Sequence, residues 1–278
     1  MARPRGLRRS RVILRGIAAV LFTGGTSLAA SADNTAAIQD FMRLSGLGTQ
    51  ADRVTQQMQA QLDARREEVD ANALERVQAA MTSAFTPDRI RARMMASLDG
   101  AKGEPMQRAI DWLRHPLGSR MTELELAASD PNAESALREY LGQLEHTPPA
   151  PERVELIKRL STATDASDTA MQLIAAMVTS LAKALDVARG GESTAQQEAQ
   201  AAMVQMEQER EVVEQGILLK LLFTYRAASD EELKQYVTFW ESELGHWLHG
   251  ATVHACIAAL TQGADDMATQ LVPRTEAK

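Results

Sequence analysis

FWESELGHWL, Phe239 to Leu248, decides the reading of this chain, because it lies over WLRHPLGSRM, Trp112 to Met121, at an offset of 127 residues. Leu117-Gly118 falls on Leu244-Gly245. Upstream, Met106, Ala109 and Ile110 fall on Leu233, Tyr236 and Val237 at the same offset. A weaker match sets RLSGLGTQAD (Arg43 to Asp52) over RLSTATDASD (Arg159 to Asp168) at an offset of 116, and the 11-residue difference fits an insertion at DVARGGESTAQ, Asp186 to Gln196. Two copies are fewer than an open solenoid needs, so the pattern reads as one duplicated helical unit.

The rest of the chain is written for helices. Ala, Leu, Glu, Gln, Arg and Met dominate, and alternation of apolar and polar residues over strand length is missing. Ser229-Asp-Glu-Glu232 has capping-box spacing, with acids at the positive end of the helix dipole. From there Leu233, Tyr236, Val237, Trp240, Leu244, Trp247 and Leu248 recur at the period of one continuous amphipathic face. Thr86-Pro87 and Asp130-Pro131 each place a capping residue before a proline at the first helical position. Ser193 and Gln196 have the spacing to open either one long helix to Ala228 or two helices joined near Gly216. Pro116 biases His115 away from helix, whereas Glu243 at the matching position does not, so the two copies are expected to differ there. The expected fold is an all-α helical bundle made of two related repeats. Residues 33–146 form the first and 152–278 the second, joined by the Pro-rich linker 147–151, with all helices in one continuous bundle.

AIDWLRHPLGSRM (Ala109 to Met121) and YVTFWESELGHWL (Tyr236 to Leu248) also carry a likeness to a known family. Each has an aromatic group followed by a Ser-or-His, Pro-or-Glu, Leu, Gly run. In this the chain resembles the bacterial domain of unknown function numbered 2059, over about 60 residues in each half. The second copy keeps Phe239-Trp240, Ser242, Leu244 and Gly245 but has Glu243 in place of proline, and the first keeps Pro116 and Gly118 but has His115 in place of serine. The resemblance implies an exported, all-helical protein and brings no catalytic residues with it.

The N-terminus reads independently as an export signal. Six arginines between Arg3 and Arg15 precede a mostly apolar run from Gly16 to Leu28, and Ala30-Ser31-Ala32 presents small residues at a cleavage position. Cleavage is expected between Ala32 and Asp33, making residues 1–32 a signal peptide and leaving the mature protein in the periplasm. About 13 apolar residues fall short of the roughly 20 that span a hydrocarbon core, so no stable membrane anchor is expected after cleavage. Loss of residues 1–32, which hold six Arg and no acid, takes the formal net charge from −7 to −13. A surface of that sign repels phosphate backbones and argues against nucleic acid as a partner. Cys256 is the single cysteine, so no internal disulfide can form and packing must hold the fold.

Candidate chemistry is sparse. Glu243, His246 and His249 share one helical stretch with metal-ligand residue types, which would make the chain a metal-dependent envelope enzyme. A second Glu-x-x-His, as di-iron bundles require, does not occur. His254 and Cys256 are two apart and point to different sides of a helix, so the thiol reads as inert. Asp265-Asp266 reads as solvated surface. Phosphate-binding, dinucleotide-binding and nucleophile-elbow motifs are missing. Six of the eleven aromatics lie between Phe223 and Trp247. Most belong in a core, but Tyr225, Phe239, Trp240 and Trp247 are also the residues to line a groove for an envelope protein or a small apolar ligand. Met-rich MTSAFTPDRIRARMM (Met81 to Met95) reads mainly as core. The favoured expectation is a non-catalytic binding or interaction module of the bacterial envelope that needs no cofactor.

Overall fold

Ser229 caps its helix by the expected reciprocal bonds. Its hydroxyl accepts from the Glu232 N–H, and the Glu232 carboxylate accepts from the Ser229 N–H at 2.8 Å. The same economy of local signals runs through the computed structural model, which describes residues 25–53, 56, 71–101, 103–188 and 194–272. Twelve helices are named for these residues, and no strand occurs among them: α1 Gly25–Leu44, α2 Ala71–Ala84, α3 Pro87–Leu98, α4 Glu104–Arg114, α5 Pro116–Ala128, α6 Glu134–Leu144, α7 Pro151–Ala163, α8 Ala166–Ala188, α9 Thr194–Gln208, α10 Arg210–Thr224, α11 Asp230–Trp240 and α12 Glu243–Leu271. A further helical turn covers residues 47–53. The fold is an all-α helical bundle.

Thr86 caps α3 by accepting from the Arg89 N–H. Asp130 caps a 3-10 turn at Pro131–Ala133, and α6 follows directly from Glu134. Gly216 does not interrupt α10; the break falls at Glu209, between α9 and α10, where the backbone leaves helical geometry. Ser193 lies outside the described residues, and the start of α9 is instead tied back by buried Asp186, whose carboxylate accepts from the Gln196 N–H at 3.0 Å. Of the expected signal peptide, residues 1–32, the first 24 are outside the described residues too, while the backbone at Ala32 and Asp33 belongs to α1.

The largest departure from expectation concerns the stretch Phe239 to Leu248. The continuous helix expected through it is two helices, and the expected difference between the copies is not there. Ser242 is extended (φ −86, ψ 160), as His115 is (φ −60, ψ 142), and α12 starts at Glu243 where α5 starts at Pro116. No proline is needed for the second break. The Ser242 hydroxyl accepts from the Gly245 N–H at 3.1 Å and donates to the Phe239 carbonyl, so one side chain closes α11 and opens α12.

The reason for the bend lies one turn further on. A β-carbon built at Gly118 would sit 2.2 Å from the Trp112 carbonyl oxygen, and one at Gly245 would sit 2.3 Å from that of Phe239. Each glycine thus lets the second helix of its pair fold back against the last turn of the first, an approach any side chain would block. Four buried side chains on α4 (Met106, Ala109, Ile110, Leu113) and four on α11 (Leu233, Tyr236, Val237, Phe239) then face inward at helical spacing.

α12 runs 29 residues, about 43 Å, with one face buried and the other exposed. Its inward face is built from small residues, Ala255, Ala259, Gly263, Ala264 and Ala268, which lets α2, α3 and α8 pack closely around it. At Gly263 a β-carbon would lie 2.4 Å from the Phe85 ring. Asp265 and Asp266 are exposed, as expected, and both are ion-paired. Lys183 of α8 pairs with the first, and Arg93 and Arg89 of α3 with the second. One buried cluster joins α1, α2, α3, α4 and α8 to Phe239 and the apolar side of α12, with Phe41, Met81, Phe85 and Met94 at its centre. The other joins Leu117 and Met121 of α5 to α7, α10 and α11. Each draws residues from both sides of the linker 147–151. The half-buried rings of Trp112 and Trp240 pack against both clusters and form the seam between them.

Candidate functional site

The two helix pairs meet through their matching residues. The Trp112 ring stacks on Phe239, its counterpart at the offset of 127, with centroids 4.0 Å apart and planes 10° from parallel. His115 covers Trp112 at 5.7 Å in a nearly parallel plane, so the indole lies between two rings. Trp240 meets Phe239 at 5.3 Å, Tyr236 at 5.8 Å and His249 at 6.5 Å, in each case edge to face. Offset and edge-on aromatic pairs of this kind each add about 0.5–1.5 kcal/mol beyond their burial.

Beside this aromatic seam lies a cavity of about 90 Å³. Trp112, Leu113, Gly118, Thr122 and Glu125 line it from α4–α5, Tyr236, Trp240, Leu248 and Thr252 from α11–α12, and Ser45 from the end of α1. The two sides correspond in register: Leu113 faces the cavity as Trp240 does, and Glu125 as Thr252 does. Space of this size takes a few waters or a ligand of a few non-hydrogen atoms.

Glu125 is the charged side chain in that lining. Its Oε1 accepts two phenolic hydroxyls, from Tyr225 at 2.6 Å and from Tyr236 at 2.5 Å, and among the described residues no Lys or Arg lines the cavity. Burial raises the carboxyl above the ordinary glutamate value, while the two phenols, which favour the ionised form, offset part of that rise. Burial and the adjoining carboxylate push both phenols well above 10, so they remain donors. The Ser45 hydroxyl oxygen is buried and has no hydrogen-bond partner. An orphaned polar atom beside a cavity marks a place where a bound group would gain a bond otherwise left unmade.

The groove expected from sequence is not formed by the residues proposed for it. Tyr225 and Phe239 are buried in the two clusters, and Trp247 sits edge-on to Phe41 at 6.2 Å. Trp240 alone of the four lines the cavity. Glu125, Thr122, Thr252 and Ser45 were missed because none belongs to a recognised motif. One signal was available: Glu125 falls on the apolar stripe Leu117, Met121, Ala128 of α5, where a carboxylate has no place unless something inside receives it.

The histidine cluster does not gather. Glu243 and His246 are exposed, whereas His249 turns inward to Trp240, with Nε2 3.2 Å from the Thr169 hydroxyl. Partial burial lowers the His249 pKa, against the smaller opposing influence of Asp165. Among the described residues no group of three or more His, Cys, Asp or Glu side chains is arranged to hold a metal ion. His254 is exposed and Cys256 half-buried, and burial pushes the thiol up to about 11, which keeps it protonated at neutral pH.

Two surface features complete the survey. An open cleft of about 390 Å³ between α7, α8 and α10 is lined by Lys158, Asp165, Asp168, Arg210 and Glu214 among others. Its charges are mostly spent on each other, with Arg210 bonded to both Asp168 and Glu207. The Ala166–Val187 stretch of α8 is long and apolar enough to cross a membrane, and it is 39% buried over its most apolar window. Ile174, Val212 and Leu219 are exposed on α8 and α10. No family model matches the chain, and neither a curated protein nor a solved structure does.

Proposed function

We propose that this chain is an exported, non-catalytic binding protein of the bacterial envelope, whose two related helix pairs hold a small ligand in the cavity between them. The observation that carries this reading is the cavity at the Trp112–Phe239 seam, walled by matching positions of α4–α5 and α11–α12, with an enclosed carboxyl and an unpartnered hydroxyl facing it. A duplicated unit that meets its own copy creates such a space where the two like surfaces fail to interdigitate. Among the described residues, hydroxyls and one carboxyl line it, with no imidazole, thiol or amine, and the carboxyl that could serve as a base is already bonded by two tyrosine hydroxyls. That composition suits retention of a ligand rather than turnover.

Export fits the packing. The side chains of α1 described in the core, Ile38, Phe41 and Met42, lie within the mature chain that cleavage after Ala32 would leave. Kinship with the 2059 proteins belongs to the same reading and rests on the paired aromatic-to-glycine segments. The mass of the protein recovered from the periplasm tests export, with a mature chain beginning at Asp33 as the expected result and an intact Met1 to Lys278 chain in the cytosol as the opposing one.

Filling the cavity from α12 tests binding. A thermal-shift screen of compounds with up to about six non-hydrogen atoms is expected to yield stabilisers of the wild-type protein that lose their effect on Thr252→Met. Stabilisation that survives in Thr252→Met places the ligand elsewhere and overturns the reading.

A further inference from the structure

The cavity's chemistry narrows its ligand, on the premise that it is a ligand site. Three aromatic side chains, Trp112, Trp240 and Tyr236, and one carboxyl, Glu125, surround a space too small for a sugar ring or a peptide. The carboxyl is bonded to two neutral phenols, both on Oε1, and among the described residues no basic side chain enters the lining. A carboxylate enclosed in this way has hydrogen bonds but no opposing charge. The lining carries aromatic rings instead of cations, and the electron-rich face of such a ring attracts positive charge. The hydroxyls of Thr122, Thr252 and Ser45 add acceptors, of which the Ser45 oxygen has no partner of its own.

From this juxtaposition we infer that the cavity selects a small organic ammonium ion, whose N–H groups bond Glu125 and the Ser45 hydroxyl while its carbon end rests against Trp112 and Trp240. A neutral alcohol of equal size gains the hydroxyl contacts without the charge. An anion meets Glu125 as a repulsion. The second helix pair explains why the site has a single acidic wall: Thr252 takes the place that Glu125 occupies in the first pair, so one carboxyl, not two, faces the bound charge. Two would repel each other across the cavity.

The three indole N–H signals in a proton–nitrogen spectrum of the full mature chain test the inference, assigned by Trp112→Phe, Trp240→Phe and Trp247→Phe. Methylammonium and ethylammonium chloride are titrated against methanol, ethanol, sodium acetate and sodium chloride. Expected are saturable shifts of the Trp112 and Trp240 signals with the ammonium salts, and no saturable shift of Trp247, which packs on Phe41 away from the cavity. Glu125→Gln keeps acceptors for both tyrosines and is expected to weaken ammonium binding by about tenfold or more while the rest of the spectrum stays folded. Ammonium ions that act no differently from the alcohols, or that bind Glu125→Gln equally well, overturn the charge selection and leave the cavity as a neutral-ligand site. Shifts of all three indoles alike with every salt mean ion screening of an acidic protein and overturn the inference. No saturable shift of Trp112 or Trp240 with any probe removes the cavity as a small-ligand site and with it the binding reading.

Discussion

The helix pairs α4–α5 and α11–α12 reach one geometry by different chemistry. In the first, Pro116 bars the preceding residue from helix and the His115 ring accepts from the Leu117 N–H at 3.3 Å. In the second there is no proline, and the Ser242 hydroxyl caps the new helix by accepting from the Gly245 N–H. Both pairs bend at the same place because both keep a glycine whose missing side chain permits the close return. The comparison separates what the shape requires, a gap of one β-carbon, from what is interchangeable, the group that caps the turn. The pairs differ where they end. α5 stops after 13 residues with Glu125 turned inward, while α12 continues for 29 and becomes the axis of the larger cluster.

Removing the ring that joins the pairs strikes hardest. Phe239→Ala is expected to cost about 3–5 kcal/mol in urea unfolding, since it empties a buried position against Trp112; a loss below about 1.5 kcal/mol would show that the seam does not depend on the stack. Next come the two glycines, compared with each other. Gly118→Ala and Gly245→Ala each force a β-carbon against a backbone carbonyl, and each is expected to cost about 1–3 kcal/mol or more. Similar losses sharpen the equivalence of the pairs, and a loss in one only breaks it. A smaller asymmetry is expected at the caps. Ser242→Ala should cost about 1 kcal/mol and His115→Ala less, because Pro116 keeps the first turn broken when its cap is gone.

The smallest effect separates Glu125 from Thr252 and appears as a pH dependence. The buried carboxyl binds its proton more tightly in the native protein than in the unfolded chain, where the value is near 4.5. Its contribution to stability is therefore fully present at or below about pH 4.5 and declines as pH rises to the elevated native value, beyond which it stays level. Glu125→Gln is expected to lack that decline, so the urea midpoint of the wild type should fall relative to the variant as the pH rises above about 4.5. Parallel curves would mean that the carboxyl is as well solvated as an ordinary one.

Much of the local structure was legible in the chain. Ser229-Asp-Glu-Glu232, Thr86-Pro87 and the periodic apolar residues of α4 and α11 specify helix starts and inward faces through bonds and spacings within a single turn. The second bend was misread because the evidence against a continuous helix is not within one turn. Leu244, Trp247 and Leu248 keep the period of the helix before them, and only the contact of Gly245 with the carbonyl of Phe239 shows that the backbone has already folded back. For the same reason Tyr225 and Phe239 were counted as groove residues: nothing near them in sequence says that Glu125 and Trp112 lie against them.

The amino-acid order thus determined by itself an all-helical chain, the positions at which most helices begin, and two like segments built around an aromatic group and a glycine. These follow from backbone hydrogen bonds that must be closed nearby and from side chains three or four residues apart. Tertiary structure alone decided that α2, α3 and α8 pack on α12, that both clusters take residues from both halves, and that Glu125, Tyr236, Thr252 and Ser45 share a cavity. Those contacts join residues from 16 to 207 positions apart in the chain, and their energy comes from surfaces fitting together, which no local pattern encodes.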